Sequence, residues 1–245
     1  MEVCVHVDGS SDGTYESLAA MAESEPRLQV TQDTNRGRAY ALAAAFRSAR
    51  GKFVMFYDDD DDVDTAGLAH VLRRLEEQLP PRVCGYVFQM IDDRGRTVGA
   101  PLPARSNLLR MRADDGVAGD KKEVILRDLL DRSFYTPRGQ DRRVPTSTLW
   151  ARLALRYDVI GDNTAIGVKH YLSGGYTNRI QRLKKDNPGP MARVHAYRVA
   201  GFLLGRYRSP AYFLRSLAAL GVHGVQALFQ MRPIWRRAST SEGAV

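Results

Sequence analysis

The chain is short of cysteine, tryptophan and unbroken apolar runs, and each shortage closes off a class of protein. Two cysteines in 245 residues, Cys4 and Cys84, both sit inside apolar stretches, which excludes a disulfide framework. No positively charged segment followed by an apolar stretch opens the sequence, so a reduced, intracellular, cytoplasmic protein without a secretion signal is expected. The most lipid-compatible stretch, 211–229, is interrupted by Arg215 and His223, whereas a membrane span needs about 20 predominantly apolar residues. A transmembrane helix is therefore rejected, while contact with a membrane surface is not. The five histidines show no metal-ligand spacing, and Ser10 and Ser11 lie in no nucleophile elbow. What is present, 44% apolar and 26% charged residues, suffices for one sizeable core.

The net charge of +8 is unevenly spread. Residues 1–64 carry 6 Lys+Arg against 13 Asp+Glu, a net of −7, and the remainder carries 30 against 15, a net of +15. Such asymmetry separates an acidic site from a basic docking surface. The basic residues interleave with apolar ones at helical spacing, without a recognised nucleic-acid module or an aromatic-plus-basic sheet, so nucleic acid is not expected as a partner.

Periodicity orders the first 64 residues. The β-branched run Glu2–Val7 stops at the turn formers Asp8–Gly13, and a helical pattern runs from Thr14 to Pro26, with Thr14 as its cap. A second strand, 27–31, leads through Asn35-Arg-Gly-Arg38 into an Ala-rich helix closed by Gly51, and the continuous apolar run 52–57 reads as a buried strand. Five aspartates, Asp58 to Asp62, follow, and a helix is expected from about Thr65 to Leu79. Alternation of this kind predicts an α/β fold with a mostly parallel central sheet flanked by helices, whose ligands gather beyond the carboxyl ends of the strands. Farther on, 82–91 is a strand, 92–95 a turn and 96–98 a returning partner, so the sheet becomes mixed here; 121–132 is a helix or strand then helix, 146–156 a helix and 164–172 a strand. Nearly everything after Thr177 reads as a helical appendage, and 238–245 as a flexible tail.

Five adjacent carboxylates repel one another unless a cation joins them. Hard oxygen ligands favour Mg²⁺, Mn²⁺ or Ca²⁺, and Mg²⁺ is usually held by one or two carboxylates together with substrate phosphates. A solvated acidic loop that merely ends the strand is the alternative. Asp8-x-Ser-x-Asp12-Gly begins like a calcium-binding loop, but its twelfth position is Ala19 rather than a bidentate Glu, and that reading is rejected.

In this order and spacing, Val7-Asp-Gly-Ser-Ser-Asp-Gly-Thr14, Asn35-Arg-Gly-Arg38 and Ala49-Arg-Gly-Lys-Phe53 through Asp58-Asp-Asp-Asp61 closely resemble the donor half of family 2 glycosyltransferases of GT-A fold. Gly119-Asp-Lys-Lys-Glu-Val124 and Tyr171 to Thr177 look more loosely like the acceptor half of a bacterial subgroup that builds surface polysaccharides. The resemblance implies a GT-A-like domain over 1–175, with a donor half to about residue 100 and an acceptor half from 101 to 175, followed by a helical extension over 176–237. It implies that Asp8 contacts the nucleotide base, that Asn35, Gly37, Arg38 and Asp59 line the ribose and diphosphate, and that Asp58 and Asp60 face a bound Mn²⁺ or Mg²⁺. The implied reaction moves a sugar from a nucleoside-diphosphate donor, UDP favoured, to a saccharide, lipid-linked or small-molecule acceptor hydroxyl with inversion.

The sequence also departs from the family pattern. Members begin with a further strand and helix, whereas Met1 opens on what should be the second strand, leaving an unpaired sheet edge that would invite a second copy of the chain. The subgroup places a Glu after a proline where Val144-Pro-Thr-Ser147 stands, so the general base is sought among Asp141, Asp120 and Asp162. These departures keep a second reading open, a truncated, non-catalytic module that binds a nucleotide or a partner. Residues 201–245 hold six Arg against one acid, Glu242, with aromatic and leucine residues between them. That composition suits either a helical cap or contact with the anionic inner face of the plasma membrane.

Overall fold

The computed structural model describes residues 1–131, 144–170 and 186–238. Strand β1 (Val3–Asp8) is followed by α1 (Thr14–Ser24), β2 (Leu28–Asp33), α2 (Arg38–Ser48), β3 (Phe53–Met55), β4 (Asp61–Val63) and α3 (Thr65–Leu75). Then come β5 (Val83–Asp92), β6 (Arg105–Ser106), α4 (Leu108–Ala113), β7 (Lys122–Leu126), α5 (Arg127–Asp131), α6 (Ser147–Ala154) and β8 (Asp158–Lys169). Two helices close the described chain, α7 (Pro188–Leu203) and α8 (Pro210–Ala238).

The α/β class and the flanking helices are as expected, but the strand pairing is more mixed than a mostly parallel sheet. β1 and β2 form a parallel pair of their own, while the larger sheet runs β3-β7-β5-β8-β4, with β6 also on β8. Within it only β5 and β8 are parallel; the pairs β3–β7, β5–β7, β4–β8 and β6–β8 are antiparallel. The reason lies in the connections. Past α3 the strands are no longer joined by regular crossover helices, and β7 returns beside β3 and β5 in the opposite sense.

The sheet separates two cores. Val87, Ile125, Leu149 and Leu153 pack on one face, and Tyr86, Phe88, Met90 and Val124 on the other, as alternation along buried strands requires. Burial of each such side chain contributes about 1.5–3 kcal/mol. The alternation on β5 shifts at Gly85, whose φ of 152° and whose place against the Val124 carbonyl leave no room for a Cβ. A third cluster, including Leu109, Ala151 and Tyr207, fastens the α7–α8 pair to α4 and α6.

Boundaries move where polar side chains choose them. The cap of α1 is Gly13 and not Thr14, which is the first helical residue, and the Asp12 carboxylate accepts from the Thr14 amide at 3.1 Å. Asp64 caps α3 by accepting from the Gly67 amide at 2.5 Å. β8 is longer than the expected strand, beginning at Asp158, so Asp162 and Asn163 lie within a strand and not in a turn.

Candidate functional site

The donor-side residues form one continuous set of contacts. Asp8 ends β1 and accepts from the amides of Arg36 and Gly37, both at 2.8 Å. Gly9, at φ 74°, sits so close to Asn35 that a Cβ there would lie 2.5 Å from the Asn35 nitrogen. The two loops are thereby locked together at the ends of β1 and β2, and they place Asn35, Gly37 and Arg38 side by side. Both Asp8 oxygens are thus engaged with backbone amides.

Arg38, the first residue of α2, donates to Asp58 at 2.5 Å. Burial works to raise the Asp58 carboxyl, but the Arg38 guanidinium, with Lys122 and Lys169 behind it, holds it below its ordinary value. Carboxylate oxygens of Asp58, Asp60 and Asp61 lie within 4.8 Å of one another. Asp58 and Asp60 are half exposed, whereas the Asp61 side chain is fully buried.

The aspartate run is not simply a loop. Asp61 and Asp62 pair with Lys169 and Val168 as strand β4. The Asp61 carboxylate receives Lys122 at 2.7 Å and lies 2.9 Å from the Lys169 ammonium, and this double neutralisation allows an aspartate inside a sheet. The same ammonium is 3.6 Å from Asp60, 4.0 Å from Asp58 and 3.9 Å from Asp120. Burial opposes its charge, yet the Asp61 hydrogen bond and the surrounding carboxylates raise its proton affinity above that of an ordinary lysine. Next to it, His170 is held between Asp62, at 2.9 Å, and Asp93, and both carboxylates stabilise its protonated form.

Asp58 and Asp60 fit a hard divalent cation, since they are accessible oxygen donors side by side at a strand end. Asp61 is committed to its two lysines. Asp59 lies exposed between them. Of the three carboxylates considered for the base, Asp120 is brought to this cluster and is exposed. Asp162 is held on β8 by His70, at 2.8 Å, and Arg74, at 3.2 Å, both from α3. Asp141 lies outside the described residues, as does the segment 171–177.

The sequence placed Lys122 and Glu123 within a segment resembling the acceptor half but singled out neither, nor Lys169. Their signal was nonetheless present: charges embedded in otherwise apolar strands, where an ionised group persists only with a partner or a task.

Among the described residues no helix is long and apolar enough to cross a membrane. One face of α8 nevertheless leaves Leu214, Leu217, Val225 and Leu228 exposed.

The sequence pattern described as "Glycosyl transferase family 2" matches residues 1–126. A putative glycosyltransferase EpsH of Bacillus subtilis is 24% identical over 102 residues, 42% of this chain and 29% of the relative. A glycosyltransferase AglD of Haloferax volcanii is 30% identical over 113 residues, 45% of this chain and 18% of the relative. The matches thus span less than a third of the length of these relatives. In fold, the chain is similar to a mannosyltransferase of Pyrobaculum calidifontis solved with GDP-Man and Mn²⁺, with a TM-score of 0.53 and 20% identity over 100% of this chain and 67% of that one. It is also similar to residues 1–349 of TarS of S. aureus solved with UDP-GlcNAc, with a TM-score of 0.58 and 21% identity over 91% of this chain and 63% of that one. The architecture is that of GT-A glycosyltransferases.

Proposed function

The chain belongs to glycosyl transferase family 2, and from that premise we propose that it transfers a sugar from a nucleoside-diphosphate donor to an acceptor hydroxyl by direct displacement with inversion. The observation that carries this reading is the unbroken contact path from Asp8 through Gly37 and Arg38 to Asp58 and Asp60. It joins a loop of backbone amides, a guanidinium and accessible carboxylates along the length that a nucleotide and its diphosphate would occupy. Proteins of similar fold were solved with GDP-Man and with UDP-GlcNAc; a UDP-sugar is the donor favoured here.

Asn35, Gly37, Arg38 and Asp59 would border the nucleotide and diphosphate, with Asp8 shaping the base pocket through the loop it holds. Asp58 and Asp60 would hold Mn²⁺ or Mg²⁺, which when bound neutralises charge developing on the leaving diphosphate. Arg38 orients Asp58 and adds positive charge beside the same oxygens, and Lys169 supplies a second ammonium from β8. The acceptor is a saccharide, free or lipid-linked. The exposed apolar face of α8 and the arginine-rich sequence around it suit a protein that meets a lipid-linked acceptor at the inner, anionic face of the plasma membrane.

The test is calorimetric titration of the chain with UDP and then GDP, in Mn²⁺ and in EDTA, together with donor turnover. Metal-dependent binding at micromolar concentration is expected, and Asp60→Ala should lower turnover at least about 100-fold with the fold intact. Turnover indifferent to both EDTA and Asp60→Ala would sink the reading. One observation favours a non-catalytic alternative: Lys169 already places an ammonium among the carboxylates. Nucleotide binding in EDTA equal to that in Mn²⁺, without turnover, would decide for it.

A further inference from the structure

Strand β7 serves two sides of the molecule with consecutive residues. Lys122 points to Asp61 on the donor side. Glu123, on the other face, lines a cavity of about 450 Å³ walled by Met111, Val117, Trp150 and Tyr212 and bordered by Arg198 of α7. That volume, with an apolar and aromatic wall and few charged groups, is that of a small-molecule pocket.

The charged groups around the cavity are of two kinds. Lys121 donates to Gln89 at 2.6 Å and to the Val98 carbonyl, and Arg112 donates to the carbonyls of Val117, at 3.2 Å, and Gly119, at 3.0 Å. Both cations are thus committed to the protein. Glu123 and Arg198 are not. Among the described residues the Glu123 carboxylate accepts no hydrogen bond from another residue, and the Arg198 guanidinium meets only the Tyr212 ring, whose centroid lies 5.4 Å away. No ion pair joins the two, although opposite charges attract strongly where solvent is scarce. Strand β7 and helix α7 hold them apart, and each is left facing the cavity without the partner that a charge in such surroundings requires. A molecule carrying both counter-charges would satisfy the two at once.

We propose that this cavity binds a small zwitterion of the amino-acid class, with its ammonium on Glu123, its carboxylate on Arg198 and its apolar body against Trp150 and Tyr212. The site lies on the face of β7 opposite the aspartates, so it is separate from the donor side and does not depend on the donor reading. The forked donors of a guanidinium match a carboxylate, and a carboxylate matches an ammonium. The two aromatic faces cover apolar surface and also attract a cation. A simple anion would leave Glu123 unpaired and be repelled by it, and a simple cation would do the same to Arg198, which is why the class is zwitterionic. Burial pushes the Glu123 carboxyl up to about 7, with Arg112 and Lys122 opposing the rise and Asp120 adding to it. An arriving ammonium favours the ionised form, so binding below pH 7 should release a proton from Glu123.

The test is calorimetry on the full chain with two zwitterions. In L-phenylalanine the charges are adjacent, and in para-aminomethylbenzoate they lie at opposite ends of the ring. Each is compared with analogues that lack one charge: phenethylamine and hydrocinnamate for the first, benzylamine and benzoate for the second. At least one zwitterion should bind about tenfold or more tightly than both of its analogues. Glu123→Gln should erase its advantage over the carboxylate analogue, and Arg198→Met its advantage over the ammonium analogue, with circular dichroism reporting an intact fold in both. Over about pH 5 to 8 the affinity of the original chain should rise with pH through a midpoint near 7, and that of Glu123→Gln should stay flat. The groups facing Glu123 whose own titration must be separated from this step are Arg112 on α4, Asp120, Lys121 and Lys122, Arg198 on α7 and Tyr212 on α8. If either variant unfolds, the analogue comparison and the pH profile of the original chain still decide. The proposal is overturned if neither zwitterion exceeds its analogues, if its advantage survives either substitution, or if its affinity shows no step with pH.

Discussion

The two faces of β7 handle charge in opposite ways. On the donor side Asp58, Asp60 and Asp61 are met by Arg38, Lys122 and Lys169, so every buried charge there has a partner and the arrangement is set before any ligand arrives. On the cavity side Glu123 has apolar and aromatic neighbours, with nearby cations hydrogen bonded elsewhere. Pairing keeps a carboxylate ionised and fixed in place, whereas isolation raises its proton affinity and prepares it to exchange a proton. Position along one strand, alternating by a single residue, decides which behaviour a side chain has.

The largest effect should come from breaking the paired side. Asp61→Ala would leave the Lys122 ammonium, itself almost fully buried, without its carboxylate, and would remove the nearest counter-charge of Lys169. Loss of one partner of a buried pair costs about 3–5 kcal/mol. A fall of that size in unfolding free energy by urea titration is expected, and a change below about 1 kcal/mol would show that the lysines find water instead.

The isolated side should respond with the opposite sign. Burial pushes the Glu123 carboxyl from its ordinary value of 4.5 up to about 7 in the folded state. Its favourable contribution is therefore complete below pH 4.5 and lost as pH rises through 7. Above that window the folded state carries an ionised carboxylate it would rather protonate, and Glu123→Gln should be more stable than the original chain at pH 8, on the order of 2 kcal/mol after allowing for partial exposure. Below pH 4.5 the two should converge. Equal stabilities at both pH values would mean that the cavity admits enough water to relieve the charge.

The difference between the faces also explains what was legible in the sequence. Donor-side residues are consecutive or nearly so, because loops at strand ends carry them: Asp8-Gly9, Asn35 to Arg38, Asp58 to Asp60. Local turn chemistry and strand–helix alternation were enough to find them, together with the family resemblance they carry. The cavity side is assembled from β7, α4, α6 and α8, and its members are ordinary in their own neighbourhoods. Trp150 packs on Phe56 at 5.9 Å between ring centroids while also forming part of the cavity wall. Glu123 sits in an apolar strand, and only the tertiary structure shows which face it occupies. The change to a mixed sheet past residue 80 was legible in the strand, turn and returning partner of 82–98, and Ile91 does bridge Thr97 in antiparallel sense, but the direction of β7 was not, since it depends on a long connection without periodic signal.

The smallest predicted effect probes whether pairing on the donor side is permanent or gives way to ligand. Lys169 sits between 2.9 and 4.0 Å from Asp58, Asp60 and Asp61, near enough to repel an incoming divalent cation. The ammonium is attached to β8 by a flexible stem, whereas Lys122 still neutralises Asp61 from β7, so loss of Lys169 removes one positive charge without orphaning a buried carboxylate. Lys169→Met, similar in length and uncharged, should then bind Mn²⁺ about three- to tenfold more tightly, up to about 1.4 kcal/mol, when followed by calorimetry in the absence of nucleotide. The same variant should bind UDP more weakly in EDTA, where Lys169 would be among the cations facing the diphosphate. Weaker Mn²⁺ binding in the variant would show that Lys169 supports the aspartates in their metal-binding geometry and does not compete with the ion. The two faces of β7 would then differ less than their charges suggest, both depending on a lysine or glutamate held in place by the sheet.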